Sequence, residues 1–265
     1  MSTDIDLNFP LIYCNGDSYS DENFHEPLLV GNTYVNSVAS YVNGFAINKA
    51  ISGSCNRRII RTTIHDLILQ RKLNPAQQII ALVGLSFEIR SELWADELTT
   101  PVLPEESNFK THQFTTQVSW RENLLAGIDI KPKNKDKLNK NFFKKFSDGR
   151  AFFYSPYAER INLLTDLIMF RSFCESLNIN FLVFQSPKAE KLESDYLLDF
   201  LKGCLVDDKR FFDLETFGFC DWCAAQKFTP LDFPDRPQIG HYGPDAHAAF
   251  AEKILIPKLK ELLII

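Results

Sequence analysis

Leu11-Ile12-Tyr13-Cys14 runs directly into Asn15-Gly16-Asp17-Ser18-Tyr19-Ser20, and the fold is decided at that junction. Four apolar residues ended by an Asn-Gly-Asp turn signature are the pattern of a short buried strand that stops at a loop. Downstream, Val35 to Val42 reads as helix and Phe45 to Ile51 as a second strand. Gly53-Ser54 then punctuates the chain before Ile59, Ile60, Ile64, Leu67 and Ile68 recur at helical spacing. Ser54 or Asn56 is placed to cap that helix. After Asn74-Pro75, the run Ile79-Ile80-Ala81-Leu82-Val83 is continuously apolar up to Gly84, as expected of a strand buried on both faces.

The alternation resumes in the second half. Ile161, Leu164, Leu167, Ile168, Phe173, Cys174 and Leu177 mark an amphipathic helix, and Ile179 to Phe184 is another apolar strand. A helix around Ser194 to Leu201 and a short strand at Phe211 to Leu214 follow. Beyond an irregular stretch through Pro230, Pro234 and Pro237, Pro244 stands where the first turn of a last helix accepts it. Such alternation predicts a parallel sheet with helices on both faces, with functional groups at the carboxyl ends of its strands. From about 96 to 150 the rhythm breaks, and Lys131, Lys133, Lys135, Lys137, Lys140, Lys144 and Lys145 crowd one stretch. This segment is expected to be an insertion, either a solvated basic loop or a docking surface for an acidic partner or substrate.

With 265 residues, 45% of them apolar and 24% charged, the chain can bury a sizeable core and is neither disordered nor fibrous. Its formal charge of −5 supplies no electrostatic drive toward nucleic acid or an anionic membrane surface. Met1-Ser2-Thr3-Asp4-Ile5-Asp6 has neither the basic nor the apolar region of a signal peptide, and no apolar run is long enough to span a bilayer. A cytoplasmic location is therefore expected, with Cys14, Cys55, Cys174, Cys204, Cys220 and Cys223 as reduced thiols. Cys220-Asp221-Trp222-Cys223 has redox or zinc spacing, but without a second cysteine pair it reads as two packed thiols, and no metal is expected.

Gly16-Asp17-Ser18, Ser52-Gly53-Ser54-Cys55-Asn56 and Gly84-Leu85-Ser86 follow the first three strands, and Gly240-His241-Tyr242-Gly243-Pro244-Asp245-Ala246-His247 precedes the last helix. A parallel sheet can gather all four at one edge. A serine hydroxyl, a histidine to take its proton and backbone N–H groups to hold an oxyanion are the requirements of nucleophilic acyl transfer.

In these four blocks the sequence resembles the SGNH, or GDSL-like, hydrolase family, over most of the chain apart from the insertion. The resemblance implies one domain over 1–265 and a three-layer α/β/α, flavodoxin-like fold with a five-stranded parallel sheet. It makes Ser18 the nucleophile, His241 the base, and the N–H groups of Ser18 and Gly53 the oxyanion donors. It also implies a small-molecule or carbohydrate ester as substrate, with no cofactor. Two departures stand out. Ser86 occupies the position of the family's oxyanion Asn, and Phe87 that of the Asp beside it. Gln238 stands three residues before His241, where the family carries its acid, so Asp235 is the preferred partner of His241, with Asp232 and Gln238 as alternatives.

Ser86 is expected to donate its hydroxyl to the oxyanion, or otherwise to cap a following helix. Asn56, Arg57 and Glu88, at strand ends, are candidate substrate-binding residues. His247 lies on the apolar side of the last helix and reads as a packed core histidine and fallback base. The expected function is serine esterase, hydrolysing small acyl and in particular acetyl esters through an acyl-enzyme on Ser18. The alternative is a catalytically degenerate protein of the same fold that binds a glycan or a protein partner.

Overall fold

The computed structural model describes residues 9–25, 27–87, 91–93, 114–116, 155–187, 195–212, 214, 217–262 and 264–265. Most of the expected insertion, and Glu88 with it, lies outside the described residues. Five strands form one parallel sheet: β1 (Leu11–Asn15), β2 (Phe45–Asn48), β3 (Ile79–Leu85), β6 (Asn180–Gln185) and β7 (Phe211–Phe212). Their order is β2-β1-β3-β6-β7. The short strands β4 (Ser91–Leu93) and β5 (Phe114–Thr116) pair antiparallel in a separate ribbon.

The three central strands are apolar almost throughout because both of their faces are covered, and successive residues alternate between two cores. Ile12, Ile80, Leu82, Leu182 and Phe184 pack on one face against α1 (Tyr34–Tyr41), α5 (Phe219–Ala225) and the last helix. Leu11, Ile79, Ala81, Val83, Phe181 and Val183 pack on the other against α2 (Asn56–Leu73), α3 (Pro156–Ser176) and α4 (Tyr196–Val206). This is the expected α/β/α sandwich. Strand β2 lies at an edge and is only partly buried, and it ends at Asn48 rather than continuing to Ile51; the Asn48 Oδ1 accepts from Ala50 N at 3.1 Å in a local turn.

The cap of α2 is neither of the expected residues. Cys55 Sγ accepts from Arg58 N at 3.5 Å. Ser54 Oγ instead donates to Ile51 O and accepts from Arg58 Nη1, and the Asn56 amide is drawn to Ser86, so neither is available. The final helical segment begins with Pro244 in the first turn of α6 (Pro244–Phe250), as expected, and runs into α7 (Ile256–Glu261) through a π turn at Ala251–Leu255. Pro257 has no N–H to donate, and the wider turn just before it accommodates the missing bond. All six cysteines are free thiols, and no described helix is long and apolar enough to cross a membrane.

The sheet order places a topological switch point between β1 and β3. The chain leaves β1 toward β2 on one side and leaves β3 toward β6 on the other, so a crevice opens above their carboxyl ends. Asn15 pairs with Val83, which sets Gly16-Asp17-Ser18 beside Gly84-Leu85-Ser86.

Candidate active site

After β1 the backbone makes a single helical turn, with Ser20 N and Asp21 N both donating to Asp17 O at 3.0 Å, and Ser18 sits inside it. Gly84 is needed beneath this turn, because a Cβ there would lie 2.8 Å from Ser20 Oγ and 2.9 Å from Ser186 Oγ. The loop after β2 is fastened to the same turn. Asn48 Nδ2 donates to Ser20 O at 2.7 Å, Ser52 N to Asp21 Oδ2 at 2.8 Å and Ile51 N to Gly16 O at 3.2 Å. Gly53 follows at φ +82°, a left-handed conformation that glycine adopts without strain. Among the described residues neither Ser18 N–H nor Gly53 N–H donates to another protein group, so both are available to a ligand oxygen.

His241 reaches Ser18 from the far end of the chain. Its Nε2 lies 2.8 Å from Ser18 Oγ and its Nδ1 lies 2.7 Å from Asp232 Oδ2. A carboxylate only accepts, so Nδ1 carries the ring proton and Nε2 accepts from the serine hydroxyl. Burial holds the imidazole below its ordinary 6.5, against an upward pull from Asp232, so the ring is neutral at pH 7. Tyr19 stacks on it with centroids 4.7 Å apart, and Phe24 lies against it at 4.3 Å. Tyr19 is itself anchored, its hydroxyl donating to Ile239 O at 3.0 Å.

The acid on His241 is Asp232, which corrects the preference for Asp235. Pro230 and Tyr242 form an antiparallel bridge, and Leu231 N donates to His241 O at 2.7 Å, so the chain before Asp232 runs alongside His241. Phe233, at φ +47°, then turns the chain away, leaving Asp235 exposed; Gln238, in the 3₁₀ turn Pro237–Ile239, is exposed as well. The hairpin closes this tightly because residue 240 is glycine. A Cβ there would sit 2.5 Å from Pro230 Cβ and 3.0 Å from Asp232 O.

Three further expectations are corrected. The Ser86 hydroxyl has one proton and donates it to buried Asp17 Oδ2 at 2.7 Å, not toward an oxyanion. Asn56 does not face a substrate either, because its Oδ1 accepts from Ser86 N at 2.6 Å and its Nδ2 donates to Ser86 O at 3.1 Å. It ties the start of α2 to the end of β3. Arg57 is exposed and pairs with Asp166 of α3 at 3.7 Å. His247 is buried and stacked on Tyr34, as its place on the helix implies, and its Nδ1 accepts from Tyr34 N at 3.4 Å. Cys220 and Cys223 are buried in the core, as expected of packed thiols.

The sequence reasoning missed Phe24 and His25, which the loop between β1 and α1 brings against His241. No local pattern marks them.

A psychrotrophic esterase from Pseudoalteromonas sp., solved in a form inhibited by monoethylphosphonate, is 10% identical to the chain. The match covers 96% of this chain and 98% of the esterase, at a TM-score of 0.45. A lipolytic protein of the G-D-S-L family from Veillonella parvula is 11% identical, over 93% of this chain and 96% of its own, at 0.42. The likeness is one of fold. No family model and no curated protein matches the sequence. What the site can do therefore rests on its own geometry. A hydroxyl, a neutral imidazole and a carboxylate in one hydrogen-bonded line, beside two unengaged N–H groups, can generate a serine nucleophile and hold the oxyanion it creates.

Proposed function

We propose that the protein is a serine esterase. The observation that carries this reading is the continuous line from Ser18 Oγ through the His241 ring to Asp232, with contacts of 2.8 and 2.7 Å. Ser18 attacks the ester carbonyl while Nε2 of His241 takes its proton. Asp232 keeps the ring in the accepting tautomer and stabilises the imidazolium. His241 gives that proton to the leaving alcohol, then takes a proton from the water that attacks the acyl-enzyme and passes it to Ser18 Oγ as the carboxylic acid departs. Ser18 N–H and Gly53 N–H hold the oxyanion through both tetrahedral intermediates.

With the Ser86 hydroxyl turned to Asp17, the hole has two backbone donors and no side-chain donor from position 86. Removal of one donor costs roughly 10²–10³ in rate in other hydrolases, so modest turnover on simple esters is the expectation. The substrate class is small acyl esters, acetyl esters of carbohydrates among them. A degenerate, non-catalytic protein would have no need to keep a buried imidazole neutral and aligned on both sides, which weighs against that alternative.

The test is hydrolysis of short-chain nitrophenyl esters, together with mass-spectrometric mapping of a fluorophosphonate label. Activity and a label on Ser18, both absent from folded Ser18→Ala, are the expected result. A folded wild type that neither turns over nor takes the label at Ser18 overturns the reading.

A further inference from the structure

The His241–Asp232 pair has a third neighbour that the proposed reaction does not use. His25, on the loop between β1 and α1, turns its Nε2 to 3.9 Å from Asp232 Oδ2, too long for a hydrogen bond. That nitrogen is closed to solvent and has no hydrogen-bond partner. Phe24 packs edge-on against the His25 ring at 4.7 Å, and the His25 and His241 rings meet edge to face, 5.5 Å apart at 66°. One ligand atom from each of His25, Asp232 and His241 falls within 4.8 Å of the others. Leaving a buried ring nitrogen unpartnered is costly in an otherwise satisfied site.

We propose that His25, Asp232 and His241 bind a divalent transition metal of the zinc type, and that its binding switches the esterase off. The ion is not a cofactor. Two imidazole nitrogens and one carboxylate oxygen are the donor set of an open zinc site, in which water takes the fourth position. Ligand atoms at ~2.0–2.1 Å from a tetrahedral ion stand about 3.4 Å apart. The 3.9 Å gap between His25 and Asp232 must therefore close by about 0.5 Å, and the 2.7 Å contact between Asp232 and His241 must open by about 0.7 Å. The side chains of His25 and Asp232 are each 26% exposed, so the cluster lies near the protein surface.

The inhibition follows from the tautomer and rests on the esterase reading. Nε2 of His241 faces Ser18, so an ion that shares Asp232 takes Nδ1. It needs the Nδ1 lone pair, and the proton there is displaced and taken up at Nε2, with no net proton released. An Nε2 that carries a proton cannot accept one from Ser18, and the nucleophile is no longer activated.

The experiment titrates zinc chloride into the metal-free full-length protein in competition with a chromophoric chelator, and follows nitrophenyl acetate hydrolysis in parallel. The expected result is one zinc bound per chain, with activity lost over the same concentration range and restored by EDTA. Magnesium, which prefers oxygen ligands, should leave activity unchanged. Folded His25→Ala is expected to bind zinc at least roughly tenfold more weakly, the minimum cost of losing even an outer partner of a metal site, and to resist inhibition. His25→Gln serves if the alanine variant does not fold. Ser18→Ala must bind zinc as the wild type does, which separates the metal site from the catalytic reading. Equal zinc affinity in wild type and the folded His25 variant overturns the site. Zinc bound through His25 without loss of activity overturns the inhibition. A metal-free wild type that is inactive but binds zinc through His25 upholds the site and overturns the esterase reading instead.

Discussion

Asp232 holds His241 twice. Its Oδ2 meets Nδ1 of the ring at 2.7 Å, and its Oδ1 accepts the His241 backbone N–H, also at 2.7 Å. One carboxylate thus sets both the tautomer of the imidazole and the position of the residue that carries it. In Asp232→Asn the amide NH₂ can face Nδ1 and stabilise the wrong tautomer. We expect kcat to fall by roughly 10³–10⁴, as for tautomer-reversing changes in other triads, while Asp235→Asn stays near the wild type. Steady-state kinetics of the two variants side by side distinguish the two carboxylates.

Gly240→Ala is a second route to the same geometry. The new Cβ falls against Pro230 Cβ and Asp232 O, and that contact can be relieved only by moving the loop that carries Asp232. The expected outcome is a folded protein destabilised by about 1–3 kcal/mol, as for overpacking, with a lower kcat. Thermal melts and kinetics together check it.

Asn56→Ala removes both hydrogen bonds to the Ser86 backbone at a buried position. An unsatisfied buried N–H costs about 1–3 kcal/mol, and denaturant titration should show a loss of that size. If Asn56 contacted substrate instead, KM would rise with little change in stability.

Stability should fall on acidification before most carboxylates titrate. Burial pushes His247 from its ordinary 6.5 down to about 3, so between those values the unfolded chain binds a proton that the folded one refuses. The sign is fixed by that order. The stabilising contribution is complete above pH 6.5 and erodes as the pH falls toward 3. His241 shifts in the same direction. A His247→Gln variant, although less stable at pH 7.5, should lose less melting temperature between pH 7.5 and pH 5 than the wild type does.

Thiol accessibility tests the core. Burial pushes Cys14 up to about 12 and raises Cys174, Cys220 and Cys223 as well, and of the six only Cys204 is partly exposed. Ellman's reagent at pH 8 should titrate no more than Cys204 in the native protein and all six thiols after unfolding. Rapid native reaction at Cys220 or Cys223 would contradict the packing of α5.

The architecture was legible in the sequence because it is set by short-range patterns. The runs Leu11–Cys14, Ile79–Val83 and Ile179–Phe184 are apolar at successive positions, which only a strand covered on both faces tolerates, and the helical periodicities between them dictate parallel crossovers. From that topology alone Ser18, Gly53 and His241 are carried toward one sheet edge. The helix cap, the carboxylate on His241 and the partners of Ser86 and Asn56 depend on which polar group stands nearest in space. Asp232 and Asp235 are chemically identical and three residues apart. The choice between them lies in the bridge from Pro230 to Tyr242 and in the missing Cβ of Gly240, which let one carboxylate close on the imidazole and leave the other in solvent. Likewise, Ser86 could have served an oxyanion until the fold set the buried Asp17 carboxylate 2.7 Å from its hydroxyl. Periodicity settles where chain segments go, because burial is a property of whole elements. A hydrogen-bond partner is settled at the scale of 1 Å by contacts between residues far apart in sequence, and only the tertiary structure holds that information.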